Sequence, residues 1–343
     1  MQPSTDIAAW EINEDRLPPL GGIEARLRFS LQYAVLAPSS HNTQPWHFIV
    51  DGTSLMLCAD RTRALPVVDP YDRELIMSCG AALFNLRVAL QHFGLGYAIT
   101  LFPASADPDV LAQVHALPTY AGDAGIAGLF GSITKRVTTR ERFDIQPIPL
   151  DIQEQFVRAA EAEGADAVCI DGAPARERIA ELVAEADYLQ FHDPRFRREL
   201  ASWIHPRRSN DGMPAYSAGV SALLDFAVPL VSSAIRTFDL GGGLAAAHRR
   251  LLEGSPLLFC IGTRADDPAA WIAAGQALER VLLTAARHGL TASYLNQPVE
   301  VDSLRDDLRK EAGLDAQPQL LLRIGRGPQA AHSPRRAMNE VVS

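Results

Sequence analysis

Residues 80–95 and 275–290 align without a gap at an offset of 195 positions. Gly80 falls against Gly275, Ala82 against Ala277, Leu83 against Leu278, Gly94 against Gly289 and Leu95 against Leu290. Each segment reads as an apolar helix stopped by a glycine at its C-terminal cap and followed by a β-rich run, 97–102 in one copy and 291–295 in the other. Two unrelated Ala/Leu-rich helices could reach five identities, so the alignment alone leaves chance standing beside duplication. Length permits duplication: 343 residues with 47% hydrophobic content can bury two sizeable cores.

Three polar segments flank these helices. The run 37–48, APSSHNTQPWHF, sets Ser39, Ser40, Asn42, Thr43 and Gln44 within six positions between Pro38 and Pro45, ahead of a strand-forming tail. Such a loop suits a planar polar ligand, and it equally suits a tight turn whose side chains bond their own backbone. His41 within it could give a proton to a substrate or could merely stack or cap. The run 133–143, ITKRVTTRERF, alternates Arg136, Thr138 and Arg140. Guanidinium forks beside a hydroxyl are what a phosphate dianion takes, while a charge run can also be a solvated face. Near the C-terminus, HSPRRAMNEVV carries Arg335 and Arg336, a second basic pair or a loose basic tail.

Taken whole, APSSHNTQPWHFIV resembles the flavin-binding turn of the FMN-dependent nitroreductase family, and ITKRVTTRERF resembles the family's RRSxRxF opening. The resemblance extends over about residues 22–340 and points to the fused-dimer, Acg-like branch. It implies an α+β, nitroreductase-like fold in which two half-domains form an internal pseudo-dimer, each with one of the repeated helices at its heart. The expected halves are 1–125, with the ring-edge turn, and 126–343, with the phosphate grip and a lid-like insertion over about 195–252. Only the first half has the turn and only the second has the grip, so the parts suffice for one FMN. The resemblance assigns Arg136, Thr138, Arg140, Arg335 and Arg336 to the phosphate, and Pro38, Ser39, Ser40, His41 and Asn42 to the ring edge. It implies NADH or NADPH as electron donor and hydride transfer to a small electron-poor acceptor, a nitroaromatic or a quinone. The alternative within the branch is a flavin-sequestering protein with little or no turnover.

Other readings are weaker. Lys and Arg number 32 against 41 Asp and Glu, a net charge of −9 that disfavours a sequence-independent grip on nucleic acid. Cys58, Cys79, Cys169 and Cys260 lie far apart without metal-ligand spacing, and the expectation is four buried thiols and no metal site. The N-terminus lacks a signal-peptide pattern, and the apolar stretch 218–235 is broken by Asp225 and Pro229, so no membrane partner is expected and the cytoplasm is the expected location. Gly241, Gly242 and Gly243 do not form GxGxxG, and the Gly325-Arg326-Gly327 run reads simply as the end of a strand. Residues 120–130 read as the linker between halves, and oligomerisation beyond the internal pair is left open.

Overall fold

The computed structural model describes residues 8–19, 22–118, 123–206, 209–214, 228–238, 241–328 and 330–343. The first half runs α1 (Ile23–Ala34), β1 (Trp46–Asp51), β2 (Ser54–Ala59), α2 (Arg73–His92), β3 (Gly96–Leu101) and β4 (Val110–Leu117). After two short helices, α3 (Ala124–Ala127) and α4 (Phe130–Ile133), come α5 (Leu150–Glu161), β5 (Asp166–Ile170), α6 (Ala173–His192) and α7 (Pro194–Ser202). The chain continues through β6 (Ile204–His205), β7 (Met213–Pro214), α8 (Val228–Thr237), α9 (Gly241–Glu253), β8 (Leu257–Thr263) and α10 (Pro268–Arg287). It ends with β9 (Thr291–Tyr294), α11 (Gln297–Glu300), α12 (Asp302–Ala312), β10 (Gln317–Gly325) and α13 (Met338–Val341).

Each half builds one antiparallel four-stranded sheet, in the orders β1-β2-β4-β3 and β5-β8-β10-β9. The two sheets correspond strand for strand, with α1 matching α5 and α2 matching α10. The halves differ between their first two strands. In the first, Gly52 at φ 57 closes a tight β1–β2 hairpin. In the second, α6 to α9 fill that place.

Helix geometry follows the local sequence. The side chain of Asp267 caps α10 by accepting from Ala270 N at 2.9 Å, with Pro268 in the first turn. Gly94 and Gly289, at φ 76 and 67, follow the ends of α2 and α10 in the left-handed region that favours glycine.

The aligned glycines meet each other. Helices α2 and α10 make the most extensive contact between any two described elements. A Cβ on Gly80 would lie 2.5 Å from Ile272 O, and one on Gly275 would lie 2.0 Å from Met77 O. Met77 and Ile272 are themselves related by the 195-residue offset. Each is buried in the opposite half's core: Met77 among Phe156, Phe259 and Val281, and Ile272 among Leu75, Leu83 and Leu111. The duplication is therefore a pseudo-twofold crossing of two helices at backbone contact, and burying both side chains stabilises it by about 1.5 to 3 kcal/mol each.

The C-terminus is stitched to the first half. Val50 N donates to Ser343 O and Ser343 N donates to Phe48 O, both at 2.9 Å. That fixes the segment bearing Arg335 and Arg336 as packed chain rather than a loose tail. Cys79 and Cys260 are buried, but Cys58 and Cys169 are half-buried because they lie on strand faces that the cores do not fully cover. Among the described residues no helix is long and apolar enough to cross a membrane. Of the apolar stretch 218–235, residues 218–227 lie outside the described residues, as do 120–122 of the expected linker. The 241–243 glycines open α9.

Candidate functional site

The turn between α1 and β1 is held in an unfavourable backbone conformation. His41, Asn42 and Gln44 have φ of 50, 55 and 51, three of the five left-handed non-glycine residues among those described. Such residues persist only where surrounding bonds over-determine them. The Ser39 hydroxyl accepts from Gln44 N at 2.9 Å, and the Ser40 hydroxyl donates to the Glu74 carboxylate. Asn42 Nδ2 donates to Gly212 O at 3.0 Å and Pro334 O at 3.1 Å, while its Oδ1 accepts from Arg335 at 2.9 Å. Gln44 Nε2 donates to Asn210 O at 2.9 Å, and its Oε1 accepts from Arg336 N at 2.8 Å. The side chains of Ser39 and Asn42, expected at a ligand's edge, thus brace the turn itself. His41 is half-buried, and burial together with the positive charge of Arg140 pushes its pKa down to about 4. Its imidazole is neutral at physiological pH and holds no imidazolium proton to give.

Two arginines converge on the end of α1. Arg136, 5% exposed, donates to Leu36 O at 3.3 Å, and Arg335, 6% exposed, donates to Leu36 O and Ala37 O at 3.0 Å each. Trp10 lies over the Arg335 guanidinium at 4.9 Å and stacks on His332 at 4.0 Å. The nearest carboxylate to Arg136 is Glu279, fully buried, at 3.7 Å.

Several buried polar atoms here have no hydrogen-bond partner: Arg136 Nε and the Glu279 oxygens, which face each other only at ion-pair distance, Arg335 Nε, His332 Nδ1 and the Tyr294 hydroxyl. Burial and then Arg136 push Arg335 down to about 9, and burial and then the same two arginines push His332 down to about 4. Burial pushes Glu279 up to about 7 against the pull of Arg136. Two buried cations thus face one reluctant carboxylate, and the group is short of negative charge.

The other expected residues are placed as follows. Thr138 forms a parallel bridge with Ala292, and Arg140, exposed, donates to Met213 Sδ at 3.6 Å. Arg336 turns away toward Asp60 at 3.5 Å and Glu340 at 3.7 Å and donates to Gln44 O at 3.2 Å, so it anchors the C-terminal segment to the turn. The structure therefore brings the turn, Arg136 and Arg335 together, sets Arg140 where its charge reaches His41, and ties Arg336 to the turn through Gln44 while its guanidinium faces Asp60 and Glu340.

The insertion reaches the same turn. Gly212 N donates to Asn42 O at 3.2 Å, and Arg63 bridges Thr43 O and Asp211. Asp211 also takes His205 Nδ1 at 3.0 Å. An open cleft of about 640 Å³ lies beside this latch, lined by Thr62, Val67, Arg198, Trp203 and His205, and not at Arg136. Arg63, Glu74, Glu279, Tyr294 and His332 carried no signal in the sequence. Gln44 did, as a polar residue fixed before Pro45.

Residues 133–326 match the Nitroreductase family model. The Mycobacterium tuberculosis H37Rv protein named "Putative NAD(P)H nitroreductase Rv3131" is 35% identical over 323 residues, covering 92% of this chain and 90% of its own. The acg protein of the same strain, given the same kind of name, is 29% identical over 327 residues, covering 92% and 94%. Among solved structures, the FMN-dependent nitroreductase NfnB from Mycobacterium smegmatis, crystallised with NADPH, is 16% identical at a TM-score of 0.41, covering 63% of this chain and 97% of that one. A family model spanning more than half of the sequence and a relative above 30% identity along nearly all of it place this chain in the nitroreductase family, in its Acg-like branch.

Proposed function

We propose that the chain is an FMN-dependent NAD(P)H oxidoreductase with one flavin site built from both halves, 1–125 giving the turn and 126–343 the phosphate grip. The observation that carries this reading is the charge-deficient cluster of Arg136, Arg335, His332 and Tyr294, whose orphaned buried donors suit a phosphate dianion. Arg136 and Arg335 would hold the phosphate, with Thr138 and Arg140 at its rim, and residues Pro38 to Asn42 would border the ring. Because the Ser39, Ser40 and Asn42 side chains are all engaged by protein, the turn would offer backbone groups, the His41 side chain and the acceptor lone pairs that Ser40 Oγ keeps while it donates to Glu74. FMN, when bound, supplies the two-electron transfer between a nicotinamide donor and an acceptor. The chain's own part is to neutralise the phosphate, hold the strained turn rigid and keep His41 uncharged beside Arg140. The names of the mycobacterial relatives support an NAD(P)H donor. A small nitroaromatic or quinone fits the acceptor role.

The contacts of Gly212 and Asn210 with the turn favour a second reading, a flavin-sequestering protein whose insertion, about 195–252, limits access. Two measurements decide. The absorbance spectrum and released flavin of purified protein should give one FMN per chain; colourless protein that takes up no FMN overturns the site, and two per chain overturns its asymmetry. Steady-state NADPH oxidation with a nitroaromatic should proceed, and a flavin-loaded chain without turnover makes it the sequestering protein.

A further inference from the structure

Arg323 sits in mid-strand on β10 between Leu322 and Ile324, with no exposed surface. No carboxylate pairs with it among the described residues, and its Nε and Nη1 have no partner. Its Nη2 donates to Glu141 O at 2.8 Å and Thr139 O at 3.2 Å, and its guanidinium lies 4.3 Å from the centre of the Phe143 ring. Positions 323 and 325 share one face of β10, which ends at Gly325, and Gly327 follows two residues further along the chain. A Cβ on Gly325 would come within 2.8 Å of the Phe143 ring, and one on Gly327 within 3.0 Å of both that ring and Thr139 Cγ2. Arginine, glycine and glycine thus form a slot that receives Phe143. The strand does end at Gly325, as the sequence predicts, and the two glycines also give room to an aromatic ring.

We propose that Arg323, Gly325 and Gly327 position the segment 136–143 that presents Arg136, Thr138 and Arg140 to a phosphate. This rests on the flavin reading. Stability is a weak account of Arg323, because replacing buried ionic groups by apolar residues is often neutral or stabilising, and here only Nη2 of the three guanidinium nitrogens is hydrogen-bonded. What an apolar residue cannot do is hold the carbonyls of Thr139 and Glu141, on either side of Arg140, in a chain that has no regular sheet partner there. Other bonds tie the segment as well, among them Thr139 N to Ala292 O at 3.2 Å, Thr291 Oγ1 to Val137 O at 2.8 Å and Thr139 Oγ1 to Pro328 O at 3.4 Å, but Arg323 holds the carbonyls of Thr139 and Glu141 that flank Arg140. Arg323 touches no reacting group and acts only through the segment it holds.

The test compares FMN with riboflavin, which differ in the phosphate alone. In Arg323→Met, FMN affinity should fall about tenfold or more while riboflavin affinity and melting temperature hold, the tenfold corresponding to roughly one hydrogen bond to a charged group lost. Gly325→Ala, whose new Cβ would press on Phe143 at 2.8 Å and on Pro256 Cγ at 2.7 Å, should shift the same ratio. An unchanged FMN-to-riboflavin ratio in both variants overturns the proposal. Should the wild-type chain bind neither flavin, the site reading fails separately, and amide hydrogen exchange over 137–143 still judges the slot: faster exchange in Arg323→Met supports it, unchanged exchange overturns it.

Discussion

Replacing Gly275 by alanine sets two effects of opposite sign against each other. In an open helix the change is favourable by about 1 kcal/mol, because alanine loses less backbone freedom on folding. Here the new Cβ would stand 2.0 Å from Met77 O and 2.7 Å from Met77 C. To reach an ordinary contact of 3.4 Å the α2 backbone would have to retreat by 3.4 − 2.0, about 1.4 Å. No rotamer change relieves that, since the obstacle is main chain. Overpacking in a filled core costs about 1 to 3 kcal/mol and sometimes more. Moving α2 also disturbs both cores, because Met77 and Ile272 are each seated in the opposite half. The net expectation is a loss of about 2 kcal/mol or more. Gly80→Ala, with 3.4 − 2.5, about 0.9 Å, to recover at Ile272 O, should lose less. Gly242→Ala in α9, where a Cβ meets nothing within 4 Å, is the control and should be neutral or slightly stabilising. Urea unfolding of flavin-free protein at one pH measures all three. If Gly275→Ala is as stable as the wild type, the backbone-contact crossing is wrong, and with it the physical account of the repeat.

Arg136→Ala should weaken FMN binding by about 1.5 to 3 kcal/mol and leave riboflavin binding unchanged; equal losses for both flavins would assign Arg136 to the interface between halves. Glu279 is held up at about 7, so its contribution to folding is present below the ordinary carboxyl pKa of 4.5 and is lost as pH rises through 7. Flavin-free Glu279→Gln should flatten that fall in unfolding free energy between those pH values, and an unaltered pH profile would refute the burial argument. His205 is raised above 6.5, chiefly by its hydrogen bond to Asp211, so the latch is strongest below about pH 6.5 and loosens as pH rises. The protection factors of amides over 209–213, with the intrinsic exchange rate at each pH divided out, should fall from pH 6 to pH 8 in the wild type and lose that dependence in Asp211→Asn; parallel protection profiles of the two would count against the latch.

The local elements were largely visible in the sequence. Apolar periodicity marked α2 and α10, and the polar turn stood out by composition. Among the elements that escaped, two show why. Strand β4 alternates, VLAQVHAL, but follows a turn-rich stretch that reads as loop. Helix α12, DSLRDDLRKEA, hides its apolar face in Leu304, Leu308 and Ala312 among charges. The turn and the arginines were identified one by one, yet their division of labour was not. Nothing local says that Arg335 braces carbonyls while Arg336 faces acids, because both follow from where α1 ends and where the C-terminal segment crosses it. The aligned glycines showed the same limit: the offset related Gly80 to Gly275, and only the folded chain showed them touching.

Covalent fusion changes how the candidate site depends on dilution. The turn belongs to the first half and Arg136 to the second, so two separate subunits would assemble this arrangement only as far as their concentration allowed. Within one chain the partner is always present at a fixed effective concentration. Binding measured per chain should therefore hold at nanomolar protein, where a two-subunit version would come apart and lose its ligand. Fusion also releases the halves from repeating each other, and the turn closed by Gly52 on one side against four helices on the other is the visible result: an addition that a symmetric pair would carry twice is carried once.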